Sequence, residues 1–264
     1  MASIKVTDVL YRTSTLLLDT KPQFLRFTER ELVTWLNDGQ RAISKYIPFA
    51  YTRIDIIKLV AGSKQSIAKI PQAKIIMGDG LTARDMVGNI LIDVVRNMGA
   101  NGLNVGRTIS VTDGAQQDAA DMDWHSNKGH GQVEHFIYNP LMPKDFYVVP
   151  AVSPTISTWV EVAYMANPIP VLSPDVAGQT FYTVGGLYAN DLITLDDQYL
   201  DELVNYIMAR CYTKDAEYAA NQSLASMYTS MFAQSINALS MTVLGVNPNL
   251  SFLPFAPNPI AVAK

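Results

Sequence analysis

The sequence predicts an α+β protein: a helical bundle formed by N- and C-terminal helices, an inserted antiparallel β-sandwich or barrel-like region, and an extended C-terminal arm. Three observations carry this. Apolar residues recur at steps of three and four near the start of the chain and again from Asp196 to Leu244. Between these stretches the pattern changes to short alternating runs separated by turn residues. Beyond Gly245 the chain becomes proline-rich yet stays apolar. The divisions that follow are 1–50 with 196–245 for the bundle, 51–195 for a β-rich insertion domain, and 246–264 for the arm.

Thr7 to Asp19 reads as a first helix, with Val6, Val9, Leu10, Thr13, Leu16 and Leu17 on one side. Lys21-Pro22 breaks it. Thr28-Glu29-Arg30-Glu31 is a capping box, in which hydroxyl and carboxylate satisfy the free amides of a second helix. Phe27 precedes the cap and can staple onto Leu32. The second helix turns Leu32, Trp35, Leu36, Ala42, Ile43 and Tyr46 inward and stops at Pro48. A short connection makes these two an antiparallel hairpin.

Strands are expected at Thr52–Val60, Ser66–Ile70, Asn89–Met98 and Arg107–Asp113, and Ala115–Trp124 is one or two polar helical turns. Val133–Tyr138 and Phe146–Pro150 form a hairpin. Thr158–Tyr164 is the last clear strand, and Phe181–Val184 with Leu192–Leu195 make a small accessory hairpin. Many short strands of this kind indicate antiparallel rather than parallel pairing.

The stretch from Asp196 to Leu244 contains neither Gly nor Pro. Its length exceeds an ordinary globular helix, so two helices are expected, broken near Ala219–Asn221. Leu200, Leu203, Val204, Ile207, Met208 and Cys211 form the stripe of the first. Leu224, Met227, Tyr228, Met231, Phe232, Ile236 and Leu239 form that of the second. Asp196, Asp197, Asp201 and Glu202 complement the dipole at the start, and Gly245 and Pro248 end it. In the arm, prolines 248, 254, 257 and 259 forbid a helix, while Leu250, Phe252, Leu253, Phe255 and Ile260 make it too apolar for a solvated linker. These five residues are the candidates for a contact with a neighbouring subunit.

The composition narrows the function. Charged residues make up 17% of the chain, which suits a surface covered by other subunits. The net charge of −4, with no basic run, argues against tight nucleic-acid binding. The lone cysteine, Cys211, excludes an internal disulfide framework and falls on a core stripe. No signal-peptide pattern and no apolar run of about 18 residues occurs, so no membrane contact is expected and the protein is expected to be made in a cytoplasm.

Signals for chemistry are weak. His125, His130 and His135 recur at one interval, with Asp123 and Glu134 nearby, and such side chains suit zinc. A five-residue interval matches neither adjacent helical turns nor one face of a strand, so a polar loop is the expectation, with no metal or other cofactor. The Gly-rich stretches 77–82 and 99–106 lack Walker or dinucleotide spacing and read as turns. No nucleophile elbow or HExxH is present, and the chain is not read as an enzyme.

Several stretches together resemble the head–tail connector (adaptor) proteins of short-tailed, podovirus-type bacteriophages. They are Thr28-Glu-Arg-Glu-Leu-Val-Thr-Trp-Leu-Asn-Asp-Gly-Gln-Arg-Ala-Ile, Asp93-Val-Val-Arg-Asn-Met-Gly with Gly106-Arg-Thr-Ile, and Asp123-Trp-His. Phe136-Ile-Tyr-Asn-Pro with Pro143-Lys-Asp-Phe-Tyr-Val-Val-Pro, and Leu203-Val-Asn-Tyr with Ala209-Arg-Cys-Tyr-Thr-Lys-Asp-Ala-Glu-Tyr-Ala, belong to the same pattern. The resemblance covers about residues 5 to 240. Residues 171–195 and the proline-rich end fit it least. It implies a virion protein at the portal vertex: a ring of twelve copies bound to the portal protein and to a tail nozzle or tail tube protein. Genomic DNA would pass through without sequence-specific binding, and the acidic balance agrees with a lumen that repels phosphate. The alternatives are another minor capsid or tail structural protein, or a metal-dependent enzyme built on the three histidines.

Overall fold

A computed structural model describes residues 4–19, 26–76, 83–126, 131–171, 191–215, 217 and 219–246. The chain is mixed α+β. Helix α1 spans Val6–Leu16 and α2 spans Glu29–Tyr46, followed by a 3-10 turn at Pro48–Tyr51. Among the described residues nine strands come next: β1 (Thr52–Lys58), β2 (Gly62–Ser66), β3 (Ile70–Ile76), β4 (Ala83–Met86), β5 (Gly88–Asn97), β6 (Ser110–Val111), β7 (His135–Tyr138), β8 (Asp145–Val152) and β9 (Trp159–Ala166). A short α3 (Gly114–Ala120) lies between β6 and β7, and α4 (Leu200–Lys214) and α5 (Ala219–Val246) close the described part.

The capping box forms as its sequence dictates. The Thr28 amide donates to the Glu31 carboxylate at 3.0 Å, and the Glu31 amide donates to the Thr28 hydroxyl at 3.4 Å. At the other end Pro48 diverts the chain into the 3-10 turn. Helices α2 and α4 run antiparallel: Lys214 at the end of α4 bonds Glu31 at the start of α2 (2.5 Å), while Gly39 faces Tyr206. A β-carbon at Gly39 would lie 3.1 Å from the Tyr206 ring, so the absence of a side chain sets how closely the two helices approach. Helices α4 and α5 are also antiparallel, since Tyr212 meets Tyr228 and Tyr206 meets Phe232.

All four long helices feed one apolar core. Val9 and Leu10 of α1, Leu36 and Ile43 of α2, Leu203 and Ile207 of α4, and Phe232 and Ile236 of α5 belong to it. Asn37 holds the chain after β9 against α2. Its side-chain amide donates to the Val171 carbonyl and its oxygen accepts from the Val171 amide, both at 2.8 Å. The Gln40 oxygen accepts from the Thr194 amide at 2.8 Å, and Lys5 and Leu192 make an isolated bridge.

The strands enclose a second core. One sheet has the order β1-β9-β5, another β2-β8-β7-β6, and β3 pairs with β4. Ile57, Leu91, Val94, Phe136, Phe146, Val148, Val160 and Val162 meet inside. Two networks there pair buried polar groups, which offsets their desolvation penalty, while the Tyr138 and Thr158 hydroxyls stay without a hydrogen-bond partner. The Tyr164 hydroxyl donates to Asp55 at 2.6 Å, and Arg53 grips the same carboxylate through Nε (3.0 Å) and Nη2 (3.1 Å). Burial alone would raise the Asp55 carboxyl, but these hydrogen bonds together hold it below its ordinary value. Asn97 exchanges two hydrogen bonds with the Val133 backbone, at 2.7 and 2.8 Å.

Several expectations need correction. No strand runs from Ser66 to Ile70. The chain turns there between β2 and β3, and β2 pairs with β8. The polar run Gly-Ser-Lys-Gln-Ser hides a strand because Gln65 turns inward and bonds the Val60 and Gly62 backbone. The expected strand at Arg107–Asp113 shrinks to Ser110–Val111, and its pairing with β7 is parallel, an exception to the otherwise antiparallel ladders among the described residues. Leu16 and Tyr46, expected inward, are 51% and 58% exposed. Leu17 and Ile47 take the buried places instead. Helix α4 ends at Lys214 and α5 begins at Ala219, so the break comes just before the expected position, and α5 continues through Gly245 to Val246. Residues 77–82 and the first arm of the expected accessory hairpin, Phe181–Val184, lie outside the described residues.

Candidate functional site

The acidic residues at the start of α4 serve structure. Asp196 caps the 3-10 turn at Asp197–Tyr199 by accepting from the Asp197 amide (2.9 Å), and Asp197 accepts from the Ile4 amide at 3.2 Å. Cys211 is fully buried, and burial pushes its thiol up to about 12, so it is a core side chain rather than a nucleophile.

The two described histidines bond different partners. His125 Nδ1 lies 2.8 Å from the Ser63 hydroxyl, and its ring stacks on Trp124 at 3.6 Å. His135 Nδ1 lies 2.7 Å from the Ser110 hydroxyl across the β6–β7 pair. Asp123 and Glu134 are exposed. His130 lies outside the described residues. Among the described residues no group of three His, Cys, Asp or Glu is gathered as metal ligands would be.

The distinctive surface is helical. Helix α5 has 28 residues, and none of them is charged. At about 1.5 Å per residue it is about 42 Å long. Ala225, Phe232 and Ile236 are buried against α4 and α2, and Tyr228 and Leu239 pack partly beside them. Met227 (45% exposed), Met231 (44%) and Met241 (72%) face outward, although the first two belong to the apolar stripe expected to be covered. The remaining exposed positions are mostly Ser, Thr, Asn, Gln and Ala.

Beside this helix a groove of ≈ 540 Å³ opens between α2, α4 and α5. Tyr46, Tyr206 and Phe232 line it with their rings, and Ala42, Ala209 and Ala233 leave the space between them. Lys45 lies 6.0 Å over the Tyr46 ring, and Arg210 lies 5.0 Å over that of Tyr206. None of the groove residues was expected to carry function. The one signal available was the lack of charge along 219–246, which stands openly in the sequence. The five apolar arm residues, Leu250, Phe252, Leu253, Phe255 and Ile260, lie outside the described residues.

A long, uncharged, half-open helix beside an aromatic groove equips a protein to work through contact with other proteins. A family model described as SU10 adaptor protein matches residues 4–248, nearly the whole chain. The chain therefore belongs to that family and is a phage structural adaptor, in agreement with the resemblance to head–tail adaptors read from the sequence. No curated protein matches the chain. No described helix is long and apolar enough to cross a membrane.

Proposed function

We propose that this adaptor assembles as a ring of twelve copies beneath the portal, joins the portal to the tail, and surrounds the channel through which DNA passes. In this reading residues 1–50 and 196–245 act as a helical bundle at the ring wall. Residues 51–195 are a β domain turned toward tail components, and 246–264 are an arm whose Leu250, Phe252, Leu253, Phe255 and Ile260 contact a neighbouring subunit or the portal. The observation that supports it is the charge-free, half-open α5 in a chain of the adaptor family. Such a surface offers no cation to hold DNA phosphates and ample apolar area for a neighbour.

The test is to mix the purified protein with the portal complex of its own virus. Light scattering gives the mass of the product, and electron microscopy shows its shape. A stoichiometric ring added to the portal is expected. No complex, or a location elsewhere in the virion, overturns the reading.

A further inference from the structure

Resting on that ring reading, we infer that the groove between α2, α4 and α5 is the seat of the arm, residues 247–264, of a neighbouring copy. Three properties of groove and arm agree. The first is chemistry: proline-rich extended segments dock on aromatic-lined grooves because rings pack against pyrrolidines and little chain entropy is lost. The groove supplies Tyr46, Tyr206 and Phe232, and the arm supplies prolines 248, 254, 257 and 259 among Leu250, Phe252, Leu253 and Phe255. The second is charge. The groove is flanked by Lys45 and Arg210, already placed over tyrosine rings, and residues 247–263 carry no charge that would repel these cations or draw them away, the arm's one charged side chain being Lys264. Phenylalanines entering the groove give these cations further aromatic faces.

The third is reach. At about 3.1 Å per residue, residues 247–264 extend about 55 Å, more than the length of α5, so the arm can leave its own helix and cross to the next copy. Each copy would then offer one groove and one arm, a head-to-tail contact that closes when repeated around a ring.

Disulfide trapping tests this. The only native cysteine, Cys211, is fully buried, so background crosslinking is low. Two single variants of the full chain, Ala233→Cys in the groove and Phe255→Cys in the arm, are mixed with and without portal and oxidised. Ala233 is exposed, so its substitution leaves the core intact. A disulfide needs its α-carbons within about 7 Å, which a seated arm provides. The expected result is a dimer band joining the two variants, about tenfold above either variant alone, because a docked arm raises the effective thiol concentration. A second pair, Thr229→Cys with Leu250→Cys, repeats the test at another point of the groove.

No band from either pair, with or without portal, overturns the inference. So does an intramolecular band from the double variant Ala233→Cys/Phe255→Cys when the mixed singles give none, which would place the arm in its own groove. A crosslink from Phe255→Cys to the portal in place of Ala233→Cys overturns it too. Portal binding by light scattering is read separately. A ring that forms without the crosslink removes the groove assignment and leaves the adaptor reading standing.

Discussion

Helices α4 and α5 follow one another, pack antiparallel and share one core, yet they solve different problems. In α4, eight of fifteen residues are buried, among them Leu203, Ile207 and Cys211, and charges stand in its first turn (Asp201, Glu202), at Arg210 and at its end (Lys214). In α5 only Ala225, Phe232 and Ile236 are buried among the described side chains, and no charge marks the side left open. A helix exposed on this scale ordinarily carries Lys, Arg, Asp or Glu on its outer face. The difference is that α4 holds this chain together, while α5 leaves open an uncharged face of the kind the proposed ring contact would need.

The comparison can be broken by substitution. Ile207→Ala removes a fully buried side chain of α4 and should cost about 2–5 kcal/mol in urea denaturation. Met231→Ala, one helix away, should change the stability of the isolated chain by less than about 0.5 kcal/mol. Equal losses from the two would mean that the outer face of α5 is already covered within the monomer.

Glu202 sharpens the contrast, because α4 buries even a carboxylate. Burial, aided by the neighbouring Asp201 charge, raises its pKa above the ordinary 4.5. One of its oxygens has no hydrogen-bond partner. A carboxyl raised in the folded state binds its proton more tightly there than in the unfolded chain. Its charging therefore costs stability at neutral pH, and that cost disappears as pH falls through the folded value toward 4.5. Glu202→Gln should raise the neutral-pH melting temperature and lose this advantage in acid. No gain at pH 7 would show that the carboxylate is stabilised in place.

Smaller still is the ion pair between Lys214 of α4 and Glu31 of α2. Both side chains are partly exposed (45% and 33%), so Lys214→Ala should cost about 0.2–1 kcal/mol, and less in high salt. A loss beyond that range would give α4's charged end a structural weight that its exposure does not predict.

Local signals made much of the fold legible. The Thr28–Glu31 box and the β7–β8 hairpin each depend on residues close in sequence, and each appears where its residues place it, whereas the break between α4 and α5 was foreseen but placed a few residues too late. Strand β2 was illegible because its inward residues are Ser63 and Gln65, the first paired with His125 and the second with backbone three and five residues away. The parallel β6–β7 pair depends on contacts between distant residues that no local pattern encodes. The stripe on α5 gave the period but not the phase. Met227 and Met231 lie one position from Tyr228 and Phe232, and only the placement of α4 decides which of them is covered. The groove needs three helices at once, so its aromatic residues carry no signature of their own in the sequence.

Tyr51 packs against both cores, at the end of the Pro48–Tyr51 turn that also meets β9. Mechanically this is a joint. A pull on the sheets enters the helices at the C-terminal end of α2, a rod of 18 residues and about 27 Å. The Asn37 clasp on Val171 sits about halfway along the same rod and checks its swing. Torque applied to the sheets would thus reach α2 at two points and pass to α4 across the close Gly39–Tyr206 contact.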